Sequence, residues 1–367
     1  MANPTSSVKV VEVCKVALPP PPSPRSFASP SSFPLTVFDI RWLRFAPVKC
    51  LYFYEMPTSS ATQLFFDTVL APKLKTSLFN TLQHYLPLAG HLTWPQNSQK
   101  PVLSYVQGDT FSLTIAESGV DFYQLSGDGF IEATEYHPLD PAELRAIYSN
   151  LYQNKDGPNN RSLMFWERKA PPGSIRGTFQ ITAADIETLR QLLKAKLVEQ
   201  KQQDIRLVVS TFTLACAYTR VCIDKAEEIN TDQTRLAFNV DCRSRLDPPV
   251  TQKPFWELHS GTYISCRNKS LVWRGGLDGA ENWVSRVFAV SSEKMLVLAG
   301  SHRFVVYESD FGRGRPKKVE IVSIDRARAI SFSDPQTDAG VVDVGLVLDK
   351  HNMQVSASLF AKGLENP

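Results

Sequence analysis

The sequence predicts an α+β fold arranged in two domains. The chain has 367 residues, which is more than one hydrophobic core usually organises. Helix-type and strand-type patterns follow one another without regular βα alternation, which argues against a doubly wound parallel sheet. Residues 169–173 (KAPPG) hold two prolines and a glycine, a composition typical of a connection. We therefore predict an N-terminal domain at 1–168 and a C-terminal domain at 169–367.

Strand and helix patterns alternate irregularly in the first half of the chain. Val8 to Val16 has strand composition, and the prolines 19–22 end it and lead into a Ser/Pro-rich loop. The remaining predictions are a short helical turn and a buried strand within 33–55, a helix over 64–86, short strands within 102–115 and an irregular piece at 122–131. The helix has leucines at positions 70, 74, 78 and 82, and residues 87–90 (PLAG) are expected to stop it.

The second half begins with two predicted helices. Thr182 followed by Asp185 is close to a capping box, and the apolar face behind it consists of Ile186, Leu189, Leu192, Leu193 and Leu197. Residues 209–222 form a second, mostly apolar helix. Near the C-terminus we predict a hairpin in which residues 345–348 and 353–360 are strands and the polar run 349–352 is the turn.

Composition excludes several functional classes. Forty basic and 37 acidic side chains give a net charge of +3, which is too balanced for a dedicated nucleic-acid binder. The short basic run at 313–318 indicates a solvated loop. The six cysteines, at 14, 50, 216, 222, 242 and 266, form no Cys-x-x-Cys pair, so we expect reduced thiols and no metal. Neither a signal peptide nor a membrane-spanning segment is predicted. We expect a cytoplasmic monomer without a bound cofactor.

One motif near the C-terminus carries a family resemblance. The chain has Ser301 to Phe304, then Tyr307 and Glu308, and then Asp310, Phe311, Gly312, Arg313 and Gly314. This run resembles the Asp-Phe-Gly-Trp-Gly signature of the plant BAHD acyltransferases, with Arg313 in place of tryptophan. The resemblance implies a structural motif formed by Asp310, Phe311, Gly312 and Gly314, with Asp310 holding the loop through local hydrogen bonds.

Further blocks extend the resemblance over most of the chain. Residues 33–39 and 82–92 (LQHYLPLAGHL) are similar to N-terminal segments of the family. Residues 159–179, 210–218 (STFTLACAY) and 241–249 (DCRSRLDPP) are most similar to the anthocyanin and phenolic-glucoside malonyltransferase branch. The order of these blocks along the chain is that of the family.

The family resemblance implies both an architecture and a reaction. The architecture has two domains of the chloramphenicol-acetyltransferase type with a channel between them. An acyl-CoA, either malonyl-CoA or another, enters from one side and a hydroxyl acceptor, a phenolic or flavonoid glycoside, from the other. The family's base is the histidine of a His-x-x-x-Asp motif. It takes the acceptor's proton as the oxygen attacks the thioester, and such a base contributes about 10²–10⁴ in rate.

The chain departs from the family at this catalytic motif. None of its six histidines has an aspartate four residues later, so no catalytic residue is assigned. Residues 132–139 resemble the family upstream of the catalytic strand, whereas 140–150 resemble it well downstream. We therefore predict an internal deletion at the junction of Leu139 and Asp140, which leaves the N-terminal domain incomplete. His137 is the nearest histidine, and its Tyr-His-Pro-Leu context indicates an ordinary surface loop.

A second departure lies between residues 250 and 273. Here Phe255 to His259 (FWELH) stand where the family has Tyr-Phe-Gly-Asn-Cys. One back-translation of FWELH, read one base later, gives Phe-Gly-Asn-Cys, so we infer a frame-shifted stretch. Arg313 is the third departure, because a charged side chain in place of an aromatic ring must stay solvated or find a partner.

Other enzyme classes are less well supported. A serine hydrolase needs a Gly-x-Ser-x-Gly elbow, which is absent. The glycines at 312 and 314 precede Arg315 and Pro316 rather than a helix, so a phosphate-binding loop is not indicated. Three hypotheses remain: an active acyltransferase with an unrecognised base, a non-catalytic CoA- or glycoside-binding remnant, and an unstable product of a damaged gene or gene model. We expect the chain to be inactive or severely impaired.

Overall fold

The computed structural model describes residues 8–17, 32–35, 39, 48–56, 63–93, 95, 98, 100–139, 171–199, 209–229, 233–241, 259–267, 270–273, 295–326, 329–337 and 340–365. The strands are β1 (Val8–Ala17), β2 (Ser32–Pro34), β3 (Cys50–Phe53), β4 (His91–Thr93), β5 (Val102–Ser104), β6 (Thr110–Ser118), β7 (Ile131–Glu132), β8 (Ser174–Thr182), β9 (Gln233–Asp241), β10 (His259–Arg267), β11 (Ser270–Trp273), β12 (Met295–Gly300), β13 (Lys318–Ile321), β14 (Ala329–Ser333) and β15 (Gly340–Asp349).

The helices are fewer and lie mostly in the second half. Helix α1 has three consecutive parts: an α-helical turn Gln63–Phe65, a π-helical turn Phe66–Leu70 and a regular helix Ala71–Leu82. The others are α2 (Phe122–Ser126), α3 (Ala183–Glu199), α4 (Thr211–Ala226) and α5 (Lys350–Glu365). Short 3-10 segments occur at Leu86–Ala89, Ala133–Leu139, Val306–Glu308 and Val322–Arg326.

A mixed sheet of eight strands forms the largest layer. Its order is β11-β10-β9-β12-β14-β15-β8-β7. The pairings of β12 with β9 and with β14 are parallel, and the other pairings are antiparallel. Helices α3, α4 and α5 pack together against this sheet and bury the main hydrophobic core. Its fully buried side chains include Ile181, Ile223, Phe332, Leu346 and Met353.

Smaller sheets complete the fold. Strands β1 and β6 form an antiparallel ribbon, β2, β5 and β4 form a three-stranded sheet, and β13 pairs with β3. A core cluster of Phe53, Leu125, Tyr136 and Val322 joins the first 139 residues to the segment after β13. Strand β7 likewise pairs with β8. The predicted domains are thus in contact through both strand pairing and buried apolar groups.

Most of the predicted elements are confirmed. Strand β1, the short strands β5 and β6, and helices α3 and α4 lie where the sequence patterns indicate. The capping box is present: Asp185 Oδ2 accepts from the Thr182 backbone N–H at 2.8 Å, and Thr182 Oγ1 accepts from the Asp185 N–H at 3.2 Å. The fold class, α+β, is also confirmed. The domain boundary stays a prediction, because residues 140–170 lie outside the described ranges.

Two element predictions are wrong. The helix predicted to end near Leu86 ends at Leu82, and a separate 3-10 segment carries the proline at 87. The predicted C-terminal hairpin is a strand followed by a helix, β15 and α5. Asp349 caps this helix by accepting the Asn352 backbone N–H at 2.9 Å, so the polar run is a helix start and not a turn. Met353, Ser356 and Phe360, spaced three and four apart, are the buried face.

Candidate functional site

The motif at Asp310 forms a tight turn stabilised by one carboxylate. Asp310 Oδ1 accepts from the backbone N–H groups of Gly312, Arg313 and Gly314 at 2.7, 2.7 and 2.9 Å. Gly312 and Gly314 have φ of +84° and +82°, a region that side chains rarely adopt. The backbone donors hold the pKa of Asp310 below its usual range, so this carboxylate is a weak base.

Aromatic contacts fix this turn against the N-terminal half. The ring of Phe311 meets those of Tyr52 and Tyr54 edge to face, with centroids 6.4 and 5.6 Å apart. The Arg313 guanidinium lies 4.2 Å from the centre of the Phe65 ring, in cation–π geometry. Arg313 has therefore found a partner in the absence of the family's tryptophan. Its contacts are those of a structural residue.

His137 does not lie on an ordinary surface loop, contrary to the sequence prediction. It belongs to the 3-10 segment Ala133–Leu139, and its side chain is 25% exposed. Its Nε2 contacts Oδ2 of Asp325, whose side chain is fully buried. A buried carboxylate that orients an imidazole is the arrangement found in catalytic dyads and also in structural ion pairs. Asp140, its nearest aspartate in sequence, lies outside the described residues.

A buried charge network lies next to this pair. Arg176, only 1% exposed, donates from Nη1 to Glu320 Oε2 at 2.9 Å and from Nη2 to the Val322 carbonyl at 3.0 Å. Lys318 Nζ approaches the other Glu320 oxygen at 3.2 Å. The ring of Tyr136, the residue before His137, lies 5.4 Å from the Arg176 guanidinium. These contacts fix the position of the His137 segment.

A pocket of about 520 Å³ lies beside the start of α4 in the C-terminal half. It lies where α3, the N-terminus of α4 and the turn after β12 meet. Its lining residues are Arg190, Val209, Ser210, Thr211, Phe212, Ser301, His302 and Arg303. No sequence pattern had indicated this pocket, although residues 210–218 and 301–304 had carried part of the family resemblance.

The turn after β12 is shaped by Gly300. This residue has φ of +75°, and a Cβ on it would lie 2.4 Å from the Phe332 carbonyl oxygen. Ser301 then accepts at its carbonyl from Phe304 N–H, at 3.0 Å, and at its Oγ from Arg303 N–H, at 3.2 Å. The tight approach to β14 thus places His302 and Arg303 at the pocket wall.

The pocket is electropositive. Two arginines line it, and the N-terminus of α4, capped by Ser210 Oγ accepting from Thr213 N–H at 3.2 Å, adds the positive end of a helix dipole. Arg190 is paired with Glu187 at 2.7 Å, and this ion pair keeps the pKa of Glu187 low. Such an arrangement attracts phosphate or carboxylate groups.

Two cysteines of α4 are buried and are poor nucleophiles. Burial raises the pKa of the Cys216 thiol to about 12 and that of Cys222 to about 11, so both stay protonated. Within the described ranges, no three His, Cys, Asp or Glu side chains are grouped to hold a metal ion. No described helix is long and apolar enough to cross a membrane.

Comparison with known proteins identifies the class. The chain belongs to the BAHD acyltransferase family, as the sequence motifs predicted. A sequence model described as Transferase family matches residues 17–120. The fold also resembles the crystal structure of vinorine synthase, with a TM-score of 0.62 at 14% identity over 95% of this chain and 96% of that one. The BAHD-type α+β fold expected from the sequence is thus confirmed, whereas the incomplete N-terminal domain stays a prediction.

Two relatives from Arabidopsis thaliana indicate the branch. The chain is 30% identical to phenolic glucoside malonyltransferase 1 over 472 residues, which cover 98% of each chain. It is 30% identical to malonyl-CoA:anthocyanidin 5-O-glucoside-6''-O-malonyltransferase over 469 residues, which cover 100% of each. Both alignments are longer than the 367-residue chain. Each relative therefore has residues without a counterpart here.

The structure describes some of the residues at the three departures from the family and not others. Leu139 is described as the end of a 3-10 segment, but Asp140 is outside the described ranges. Residues 250–258 are outside as well, whereas the backbone of 259–267 and 270–273 forms β10 and β11, which extend the large sheet from β9. The inferred frame-shifted stretch therefore contributes strands to the sheet edge. Arg313 lies within the described ranges, and its guanidinium contacts the Phe65 ring.

Proposed function

We propose that the chain is, by descent, a malonyl-CoA-dependent O-acyltransferase of phenolic or flavonoid glycosides whose catalytic turnover is lost or severely impaired. The names of its relatives support the donor and acceptor classes. The absence of a His-x-x-x-Asp motif is the observation from which we infer the loss of turnover. An internal deletion at Leu139 and Asp140 accounts for that absence and agrees with alignments that are longer than the chain.

The reaction needs a base that this chain does not supply in the family's way. The acceptor hydroxyl must lose its proton as its oxygen attacks the thioester carbonyl, after which the CoA thiolate leaves and is protonated. His137 Nε2 is engaged by Asp325, and its segment is held by the Arg176 network. We therefore assign His137 a structural role, and we assign no catalytic residue in this chain.

Donor binding is assigned to the electropositive pocket. CoA carries phosphate groups, and Arg190, Arg303 and the N-terminus of α4 present positive charge and backbone donors to them. Acyl transfer from a thioester requires no metal, so the proposal names none. The positively charged lining of the pocket also favours a second candidate function, in which the protein binds CoA or a glycoside without turnover.

A transfer assay tests the principal proposal. Purified protein is incubated with malonyl-CoA and a phenolic glucoside, and malonyl ester is quantified beside phenolic glucoside malonyltransferase 1. We expect a rate at least about 10²-fold below that of the intact relative, because the general base is missing. The variant His137→Gln should leave any residual rate unchanged. A large loss in this variant, with unaltered melting temperature, would instead identify His137 as the replacement base.

A binding titration tests the second candidate. We expect CoA to bind, and Arg303→Ala to weaken binding about tenfold or more by removing a charge-assisted contact. Lys196→Ala is the matched control, since it removes an exposed positive charge from the same helix as Arg190. Equal loss in both variants would indicate non-specific electrostatic attraction.

A further inference from the structure

The backbone is strained at Val305, which directly follows the turn 301–304 beside the pocket. Its φ and ψ are +44° and +47°, a left-handed conformation that a β-branched residue rarely adopts. Within the described ranges, the other non-glycine residue with a positive φ is Glu228, which lies just after helix α4, where left-handed residues are common. The Val305 side chain is 48% exposed, so its own burial does not offset the strain. Neighbouring groups must therefore hold this conformation.

The carboxylate of Asp334 binds the two residues that follow Val305. Its Oδ1 accepts from the Val306 backbone N–H at 2.7 Å, and its Oδ2 accepts from the Tyr307 N–H at 3.0 Å. Asp334 is buried and directly follows strand β14, so water does not compete for these charge-assisted bonds. The ring of Tyr307 is also buried, and its hydroxyl accepts from the Val319 N–H at 3.2 Å. The residues after Val305 therefore cannot rotate to relieve the strain without breaking these bonds.

Two left-handed residues stand at the ends of the turn 301–304. Gly300, with φ of +75°, precedes it and Val305 follows it. Both ends are tied to the end of β14, because Gly300 pairs with Phe332 in the sheet and Asp334 binds the backbone after Val305. The turn contributes three residues to the pocket lining. The direction in which these residues face thus depends on contacts that lie outside the pocket.

We propose that Asp334 is a positioning residue of the donor pocket, which holds Val305 in its left-handed conformation and thereby directs the turn 301–304 toward the ligand. This rests on the proposed donor-binding role of the pocket and adds to it a residue that is not part of the pocket lining. Without the carboxylate, Val305 is free to return to a negative φ, which changes the direction of the turn before it.

The strain at Val305 is measured by chemical denaturation. Val305→Gly should change the ratio of folded to unfolded protein about fivefold more favourably than Val106→Gly, because glycine adopts a positive φ without a steric cost. Val106 is the matched control: it is 64% exposed, its φ is not positive, and its N–H also donates to an aspartate, Asp109 Oδ2, at 2.8 Å. Equal changes for the two substitutions would show that Val305 is not strained and would overturn the proposal.

CoA titration tests the positioning role. Asp334→Ala loses both acceptors and should weaken CoA binding about tenfold. Adding Val305→Gly to Asp334→Ala should restore the affinity to within about threefold of the wild type, because glycine needs no carboxylate to keep the left-handed conformation. A merely structural role of Asp334 predicts no such rescue. Asp109→Ala is the control, since it removes an acceptor of the same kind beside an unstrained residue, and it should leave CoA affinity unchanged.

The outcomes separate this proposal from the proposed function. CoA binding that Asp334→Ala weakens and Val305→Gly does not restore would overturn the positioning role alone. An unaltered affinity in Asp334→Ala would do the same. Absence of CoA binding by the wild-type protein would overturn the donor pocket and the positioning role together.

Discussion

At the scale of single residues, buried or strained positions near the two sites have the sharpest consequences. Gly300 is strained for any other residue because its φ is +75°, and its neighbour Phe332 leaves no room for a Cβ. Arg176 is a buried cation whose partner Glu320 lies on another strand. Both residues stabilise the backbone next to a site, and we assign neither of them a catalytic role.

Replacing Gly300 by alanine should destabilise the protein and weaken CoA binding. The left-handed backbone conformation alone costs about 1–2 kcal/mol with a side chain, and the contact with the Phe332 carbonyl adds to it. Thermal unfolding and CoA titration measure the two effects. Gly119→Ala is the control, because no atom lies within 4 Å of its Cβ and its φ is not in the positive range. Equal stability of the two variants would contradict the assigned role of the turn.

Replacing Arg176 by methionine should cost about 3–5 kcal/mol of unfolding free energy, since the Glu320 oxygen that Arg176 contacts would stay buried and lose its charged partner. Urea denaturation measures the change. The exposed pair of Arg190 with Glu187 provides the comparison, and Arg190→Met should change the free energy far less, because water screens an exposed ion pair. An equally small change in unfolding free energy for Arg176→Met would show that the network around Arg176 does not fix the His137 segment.

Elements whose apolar spacing and start signals agreed were predicted well. The capping residues Thr182 and Asp185 predicted the start of α3, and the apolar residues after position 209 predicted α4. Helix α5 was missed because Asp349 and the polar residues after it fit a turn as well as a helix cap, and because its buried face includes the polar Ser356. The His137–Asp325 contact joins residues 188 positions apart, and the pocket combines three separate elements. Such contacts depend on tertiary packing, which no local pattern contains.

The cap of α5 can be tested directly. Asp349→Ala removes the acceptor of the Asn352 N–H and should lower the free energy of unfolding by about 1 kcal/mol, whereas Asp349→Asn, another good cap, should lower it much less. Chemical denaturation of the two variants measures this. A hairpin turn at the same place would predict no such difference between alanine and asparagine.

At the scale of the whole molecule, the ribbon of β1 and β6 exposes apolar side chains. Within the described ranges, strands β1 and β6 pair with each other and with no other strand, and Val10, Val11 and Val13 on β1 are 38%, 47% and 48% exposed. Two-stranded ribbons are marginally stable, and exposed apolar strands invite association. The hypothesis of an unstable gene product therefore has a physical counterpart in this part of the fold.

Association through β1 predicts a specific rescue. Val13→Lys should slow aggregation during refolding and leave the melting temperature almost unchanged, because it places a charge on an exposed strand. Val198→Lys, on the exposed side of α3, is the control with the same chemical change. Light scattering during dilution from urea measures the rates. Equal effects of the two substitutions would show that net charge, and not the ribbon, determines aggregation.

We propose that the chain keeps the family's fold and a pocket that binds the acyl donor, but lacks the family's catalytic base. Malonyl transfer to a phenolic glucoside, measured beside CoA affinity on the same preparation, tests it most directly. We predict CoA binding together with a transfer rate at least about 10²-fold below that of an intact relative. A transfer rate close to that of the relative would contradict the claim.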